Sequence, residues 1–446
     1  MHILFAPGEI VAREHCFDRV EPLVKHGPRP LVVADRPWEG PGVYWPSFLY
    51  DEEEGLFKMW YYVAVGEFGK HRPAGPLIDN AEISGQHFLC YACSRDGLHW
   101  EKPALGIVRL KDHPETNILL ADSGFFLGCA TVIKDLGDPD PSRRYKLLIY
   151  DNDGEGRDGA RTAVSGDGLH WRFVGDFPIL PTQDTPSLWH DRRRGQYVAF
   201  LKTRLDGRRA RMIATSRDFS TWSEPTVLLA PDSADAPTLH FYGQSAFEHC
   251  GQDFGFLCRY EFSTQKLDLE LIVGRRGTDW ARLPSRPQVL GPGDPGAWDG
   301  GMVLPGLGEP IVRGASCWYY YNGSAGRHDD PTGISAIGLA TFTYGRLVGQ
   351  QFEGQGWFET IPFRCPGGAL YLDARSRQPL TVEVRGTGYL GVLPGYSRAE
   401  CLPVEGDRQD HPIRWADHAT LDALRGRYIA LRVYGANAVV YGARIE

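Results

Sequence analysis

Ser94-Arg-Asp96-Gly97-Leu-His-Trp100 recurs as Ser165-Gly-Asp167-Gly168-Leu-His-Trp171. It returns in degraded form as Ser216-Arg-Asp218-Phe-Ser-Thr-Trp222, then as Arg275-Arg-Gly277-Thr-Asp-Trp280. The Trp residues are 71, 51 and 58 positions apart. A period of about 40–50 residues is that of a four-stranded propeller blade. The motif itself reads as a turn. Asp accepts backbone N–H bonds, Gly supplies a positive φ, and Trp fills the gap between sheets. Asp96, Asp167 and Asp218 are therefore architectural, not catalytic.

Outward from each motif the pattern is that of strands. Aromatic or aliphatic runs precede the copies at Lys58–Val63, Tyr145–Tyr150, Tyr197–Leu201 and Phe254–Tyr260, with a fifth at Cys317–Tyr321. Before each lies a further short apolar segment: Val43–Tyr50, Gly124–Lys134, Asp184–His190, Leu239–Phe247 and Trp298–Leu304. β-branched and aromatic residues between Gly, Pro and Asp turns are strand signals. The sequence therefore predicts an all-β chain: a five-bladed β-propeller over 1–349, then a small antiparallel β-sandwich over 350–446. The second part has alternating segments, such as Leu380–Arg385 and Ala438–Ile445, but no Trp motif. The resulting turns resemble the Asp-box turns of sialidase-like propellers.

Composition agrees and narrows the function. The chain has 53 Gly and 32 Pro in 446 residues, against roughly 12% for the pair in an average protein. That excess weakens helices, while 42% hydrophobic residues exclude disorder. A net charge of -8 argues against general nucleic-acid binding. No apolar stretch of about 18 residues is present, so no membrane span is expected. Met1–Phe17 lacks a signal-peptide core. Nine Cys, with Cys90 and Cys93 the only close pair, give neither a disulfide framework nor a zinc site. The expectation is a reduced, cytoplasmic protein with no cofactor and no metal.

Blade topology sorts the acids. In a blade running from an inner strand A to an outer strand D, the D-to-A crossovers and B-to-C loops share one face. The Trp motifs lie between C and D, on the other face. Two carboxylates stand at the start of an inner strand on the first face: Asp184, in Asp184-Thr-Pro-Ser-Leu-Trp189, and Asp299, in Trp298-Asp-Gly-Gly301. Glu261 and Glu82 come from B-to-C loops. His240, Tyr242 and Gln244 start the fourth inner strand, and Trp45 lies on the first. Trp298 adjoins Asp299, Arg204 follows the third blade's second strand, and Asn322 and His328 fall in the fifth blade's loop. The 64–87 loop, with Glu67, His71 and Asp79, is long enough to serve as a lid. Carboxylates, an Arg and aromatic platforms in one funnel suit a sugar, whose hydroxyls seek charged partners and whose C–H faces stack on rings.

Five blades and a C-terminal sandwich resemble the invertase and fructosidase family of glycoside hydrolases. The blade core is similar to arabinofuranosidases and xylosidases of the furanosidase clan. Stretches such as Phe88–Pro103, Arg143-Arg-Tyr-Lys146 and Trp298–Met302 resemble bacterial proteins described as family-32-like hydrolases. The resemblance implies three carboxylates: a nucleophile or base, a transition-state stabiliser and a general-acid Glu. The Asn-Asp-Pro nucleophile motif is missing, and Asp184-Thr-Pro186 is the best substitute. The expected activity is hydrolysis of a furanoside or other terminal sugar. Asp184 and Asp299 form the carboxylate pair, Glu261 is the acid, and Arg204 lowers or holds a neighbouring carboxylate's pKa. Trp45, His240, Tyr242, Gln244, Trp298 and His328 bind the sugar. A non-catalytic glycan-binding propeller, a phosphorylase using Arg204–Arg209 or His328 for its anion, and another carbohydrate-active enzyme are the alternatives. The only partner expected is a small carbohydrate.

Overall fold

The computed structural model describes all residues except 66–86, 111, 122–125, 153–155, 331–333 and 389–390. Glu67, His71, Asp79, Glu82 and most of the long first-blade loop thus lie outside the described residues. The repeated turn forms as its composition requires. Asp96 Oδ1 accepts the backbone N–H groups of Leu98 and His99, each at 2.8 Å, and Ser94 Oγ accepts that of Gly97 at 2.8 Å. Gly97 sits at φ +76°, where an added Cβ would lie 2.6 Å from Tyr320 Oη. The copies at Ser165 and Ser216 make the same bonds. The side chain of His99, then two backbone N–H groups, hold Asp96 well below the usual carboxylate range. It is a turn fixture with no proton to give.

Between these turns five antiparallel sheets form, each led by an inner strand. The inner strands are Val43–Asp51, Phe126–Lys134, Ser187–Asp191, Leu239–His249 and Met302–Leu304. Each next strand follows the aromatic run read from the sequence: Leu56–Ala64, Tyr145–Asn152, Gln196–Leu205, Gln252–Glu261 and Ser316–Ser324. The hydrophobic core sits between blades. Trp60, Leu89 and Tyr91 of the first meet Leu127, Leu147 and Ile149 of the second. Trp189 and Phe200 of the third meet Trp280 of the fourth edge-on, at 5.9 and 5.4 Å between centroids. Such fully buried rings contribute about 2–3 kcal/mol each.

The fifth blade is completed from the other end of the chain. Its inner strands run Met302–Leu304, Ser316–Ser324 and Ser335–Thr343, and its outermost strand is Val24–Lys25, paired with Ala340 and Thr341. This closure removes a free sheet edge.

The chain divides into two compact units: Leu23–Glu248 with Asp253–Thr341, and Met1–Pro22 with His249–Gln252 and Phe342–Glu446. The division by compactness falls at Thr341/Phe342, and the first 22 residues belong to the second unit. The reason is pairing: Ile10–Val20 runs antiparallel to Val348–Thr360. In this second unit Val348–Thr360 and Leu370–Gly386 each pair with both Tyr428–Ala436 and Ala438–Ile445. One antiparallel sheet thus folds over itself around Phe5, Phe358, Leu372, Val382 and Leu431. Bulges let these long strands change partner along their length.

Candidate functional site

The inner strands carry the site at their starts. The first is bulged between Tyr44 and Ser47, and Trp45 takes φ +50° there. Bulges re-aim side chains beside functional sites. Trp45 lies nearly parallel to Tyr242 of the fourth inner strand, with centroids 6.0 Å apart and planes 11° apart. The Lys202 ammonium lies 4.6 Å from the centroid of the Tyr242 ring and forms an ion pair with Asp184. Main-chain bonds fix this pairing: Lys202 N–H donates to Thr182 Oγ1 at 3.0 Å, and Gln183 N–H to the Lys202 carbonyl at 3.2 Å.

Tyr242 is the hub. Its hydroxyl is 3.0 Å from His328 Nε2, and the His328 and Tyr260 rings are 4.6 Å apart. The Arg209 guanidinium lies 5.3 Å from the Tyr242 ring and 5.0 Å from Tyr260. Arg209 N–H donates to His240 Nδ1 at 3.2 Å. Beneath, the wholly buried Arg211 donates to the carbonyls of Thr185, Phe200 and Tyr242 at 3.1–3.3 Å, locking two inner strands together.

Electrostatics follow from burial among cations. Burial, then Arg209 and Arg211, push the Lys202 ammonium well below its usual range. Burial, with Arg209 and Lys202 next, lowers His328 to about 4, so its imidazole is neutral near pH 7. Burial and Arg209 lower His240 as well. Gln244, two residues beyond Tyr242, is wholly buried with neither amide atom hydrogen-bonded. A buried amide of that kind calls for water or a ligand.

The sequence-predicted residues divide accordingly. The structure brings Asp184, Trp45, His240, Tyr242 and His328 into one cluster, with Gln244 on the same strand. Glu261 is at the rim, bonded to Thr238 and, at 2.6 Å, to Ser263. Burial raises its pKa, but those hydrogen bonds outweigh it and the carboxyl lies below its usual range. Arg204 is exposed at a hairpin tip and donates to the Gly207 carbonyl at 3.1 Å; the cation beside Asp184 is Lys202. Asp299 is buried against Lys25, at 2.6 Å, and Tyr321. Trp298 stacks on Tyr321 with centroids 5.7 Å apart. Neither partner belongs to the cluster. Asn322 lies within a strand, and its amide donates to Val43, Ser335 and Ala336 at 2.7–3.1 Å. Sequence reasoning missed Lys202, Tyr260 and Arg211. Lys202 had one signal: it follows directly on the apolar run Tyr197–Leu201 in a chain with only nine Lys.

At the other end of the propeller a cavity of about 1120 Å³ is lined by Asp51, Glu53, Lys134, Asp135, His190 and Glu309, among others. Its charges are largely spent on one another. Lys134 meets Asp51 and Glu53 at 2.7 Å, and Arg192 meets Glu309 at 3.0 Å. The funnel cluster, by contrast, holds an orphaned buried amide and stacked rings.

No family model matches the chain, and no curated protein matches it in sequence. Solved structures match it in fold. One is an N-acetylgalactosamine deacetylase from F. plautii, in complex with blood group B trisaccharide: TM-score 0.50, 15% identity, 73% of this chain and 96% of that one. Another is β-1,2-mannobiose phosphorylase from Listeria innocua, with β-1,2-mannobiose: TM-score 0.51, 12% identity, 72% of this chain and 96% of that one. At such identities the likeness is one of fold alone.

Proposed function

We propose that this chain is a carbohydrate-active enzyme that cleaves a glycosidic bond of a furanoside or other terminal sugar in the funnel. The observation that carries the reading is the Asp184–Lys202 ion pair set against Tyr242 and Trp45. The partly exposed Tyr242 ring offers a sugar's C–H face a platform, and the partly exposed His328 and Arg209 offer its hydroxyls partners. The carbohydrate ligands of the two fold neighbours support the same choice. Asp184, accessible beside Lys202, is the carboxyl placed to act as nucleophile or base at the anomeric carbon. The leaving oxygen takes its proton from another acid. Glu261 is not that acid, because its hydrogen bonds hold it ionised.

A second reading rests on the two cations, Lys202 and Arg209, that flank Tyr242. Such a pair suits a phosphate that attacks the anomeric carbon in place of water. One experiment tests both. The purified chain is assayed on 4-nitrophenyl furanosides and pyranosides and on oligosaccharides, with and without phosphate. Asp184→Asn is expected to lose about a thousandfold in turnover, or ~4 kcal/mol. Full activity in that variant sinks the assignment. Release of a sugar 1-phosphate only when phosphate is present decides for phosphorolysis.

A further inference from the structure

The second unit carries an aromatic cleft that the proposed reaction does not use. Where Val348–Thr360 pairs with Tyr428–Ala436, Trp357 stands directly opposite Tyr434. Their neighbours Phe358 and Val433 are wholly buried. With the strand period of two, Trp357 and Tyr434 therefore leave the sheet together on its outer face.

Both rings are held in place. Trp357 Nε1 donates to Glu14 Oε2 at 2.7 Å. The Arg432 guanidinium lies 4.0 Å from the Trp357 centroid and is itself tied to Glu359 at 2.6 Å. The Arg398 guanidinium lies 4.4 Å from the Tyr434 centroid. Trp357, Tyr434, Glu14, Arg398, Gln355 and Gln378 line a cavity of about 360 Å³. That is within the span of small-molecule sites, about 300–1,000 Å³. The side-chain amides of Gln355 and Gln378 have no hydrogen-bond partner among the described residues.

We propose that this cleft is a non-catalytic binding site for a sugar residue of a glycan. Its walls alternate ring surface with amide, guanidinium and carboxylate groups. A sugar presents the same alternation, C–H faces against hydroxyls, whereas an apolar peptide would leave those polar groups unpaired. Among the described residues Glu14 is the only acid in the lining, and glycoside cleavage requires two carboxylates or their equivalent. The site therefore retains glycan and does not cut it.

Affinity electrophoresis of the full chain tests this, in gels containing soluble mannan, arabinan, xylan or levan. The wild type is expected to be retarded in at least one gel. Trp357→Ala/Tyr434→Ala should lower the association constant at least about tenfold and leave turnover of small substrates unchanged. Gln355→Ala/Gln378→Ala, on exposed side chains that the fold does not need, should weaken it several-fold and guards against misfolding of the first variant. A wild type that runs unretarded in every gel overturns the proposal. So does a Trp357→Ala/Tyr434→Ala protein retarded as strongly as wild type. Failure of the funnel reading shows instead as absent turnover, which leaves the retardation untouched.

Discussion

The chain enters its third inner strand through Asp184 and its fifth through Asp299, and each aspartate meets a lysine. At the third strand the acid is accessible and the base hidden: the Asp184 side chain is 37% exposed and that of Lys202 3%. At the fifth the order reverses, with Asp299 at 3% and Lys25 at 25%. Asp184 opens toward a cluster of rings and cations drawn from the first, third, fourth and fifth blades. Asp299 faces the strand Val24–Lys25 that closes the propeller, and Tyr321 Oη donates to it at 2.7 Å. An acid that meets substrate must keep an open side, whereas an acid that fastens a closing strand gains from burial. The same pair of residue types thus serves chemistry at one strand start and closure at the other.

Exchanging the two tests this most severely. Asp184→Asn is expected to lose about a thousandfold in turnover and, because it leaves the buried Lys202 without its carboxylate, stability as well. Asp299→Asn should lose stability with turnover unchanged. Removing one partner of a buried ion pair costs about 3–5 kcal/mol, and the exposure of Lys25 reduces this to about 3 kcal/mol. Lys25→Met should reproduce the loss, because the same pair is broken from its other side. Chemical denaturation beside an activity assay reads both axes. Asp299→Asn with native stability and no turnover would return Asp299 to the active site and end the contrast.

A smaller effect separates the regions by pH. His328 belongs to the Asp184 cluster and has its folded pKa lowered to about 4 from 6.5, by burial first and by Arg209 and Lys202 next. Between those values the unfolded chain binds a proton that the folded chain refuses. Stability is therefore full above about pH 6.5 and falls as the pH drops toward 4. The loss should reach about 2 kcal/mol, allowing for partial exposure. Denaturation across that range should show a shallower decline for His328→Gln than for wild type. Equal slopes would mean that the imidazole is not held neutral by the cluster.

The blades were legible because their signals are local. A Ser-x-Asp-Gly-x-x-Trp turn makes its main hydrogen bonds within a few residues, and each aromatic run becomes a strand in place. Closure was not legible. Val24–Lys25 is too short to show a period, and its partners Ala340 and Thr341 lie at the far end of the propeller sequence. The same distance hid the pairing of Ile10–Val20 with Val348–Thr360, and with it the place of the first 22 residues in the second unit. In the site, aromatic platforms were legible because strand position fixes which end of a blade they occupy. Whether an aspartate at a strand start meets Lys202 or Lys25 depends on a rotation about one turn, Gly293–Gly301 for Asp299, that composition does not encode.

The finest test of the contrast is Tyr321→Phe. Tyr321 is buried, its hydroxyl bonds to Asp299, and it stacks with Trp298. Burial, then the hydrogen bond to Asp299, push its pKa far up, so it remains a donor throughout the working range. Removing the hydroxyl keeps the stacked ring and the Asp299–Lys25 pair, but strips the carboxylate of one charge-assisted bond. Such a bond is worth about 1.5–3 kcal/mol. Because Lys25 still compensates the charge, the expected loss is at the low end, about 1.5 kcal/mol, with turnover unchanged. A loss equal to that of Asp299→Asn would mean that the hydroxyl, not the lysine, holds the fifth blade's acid in place.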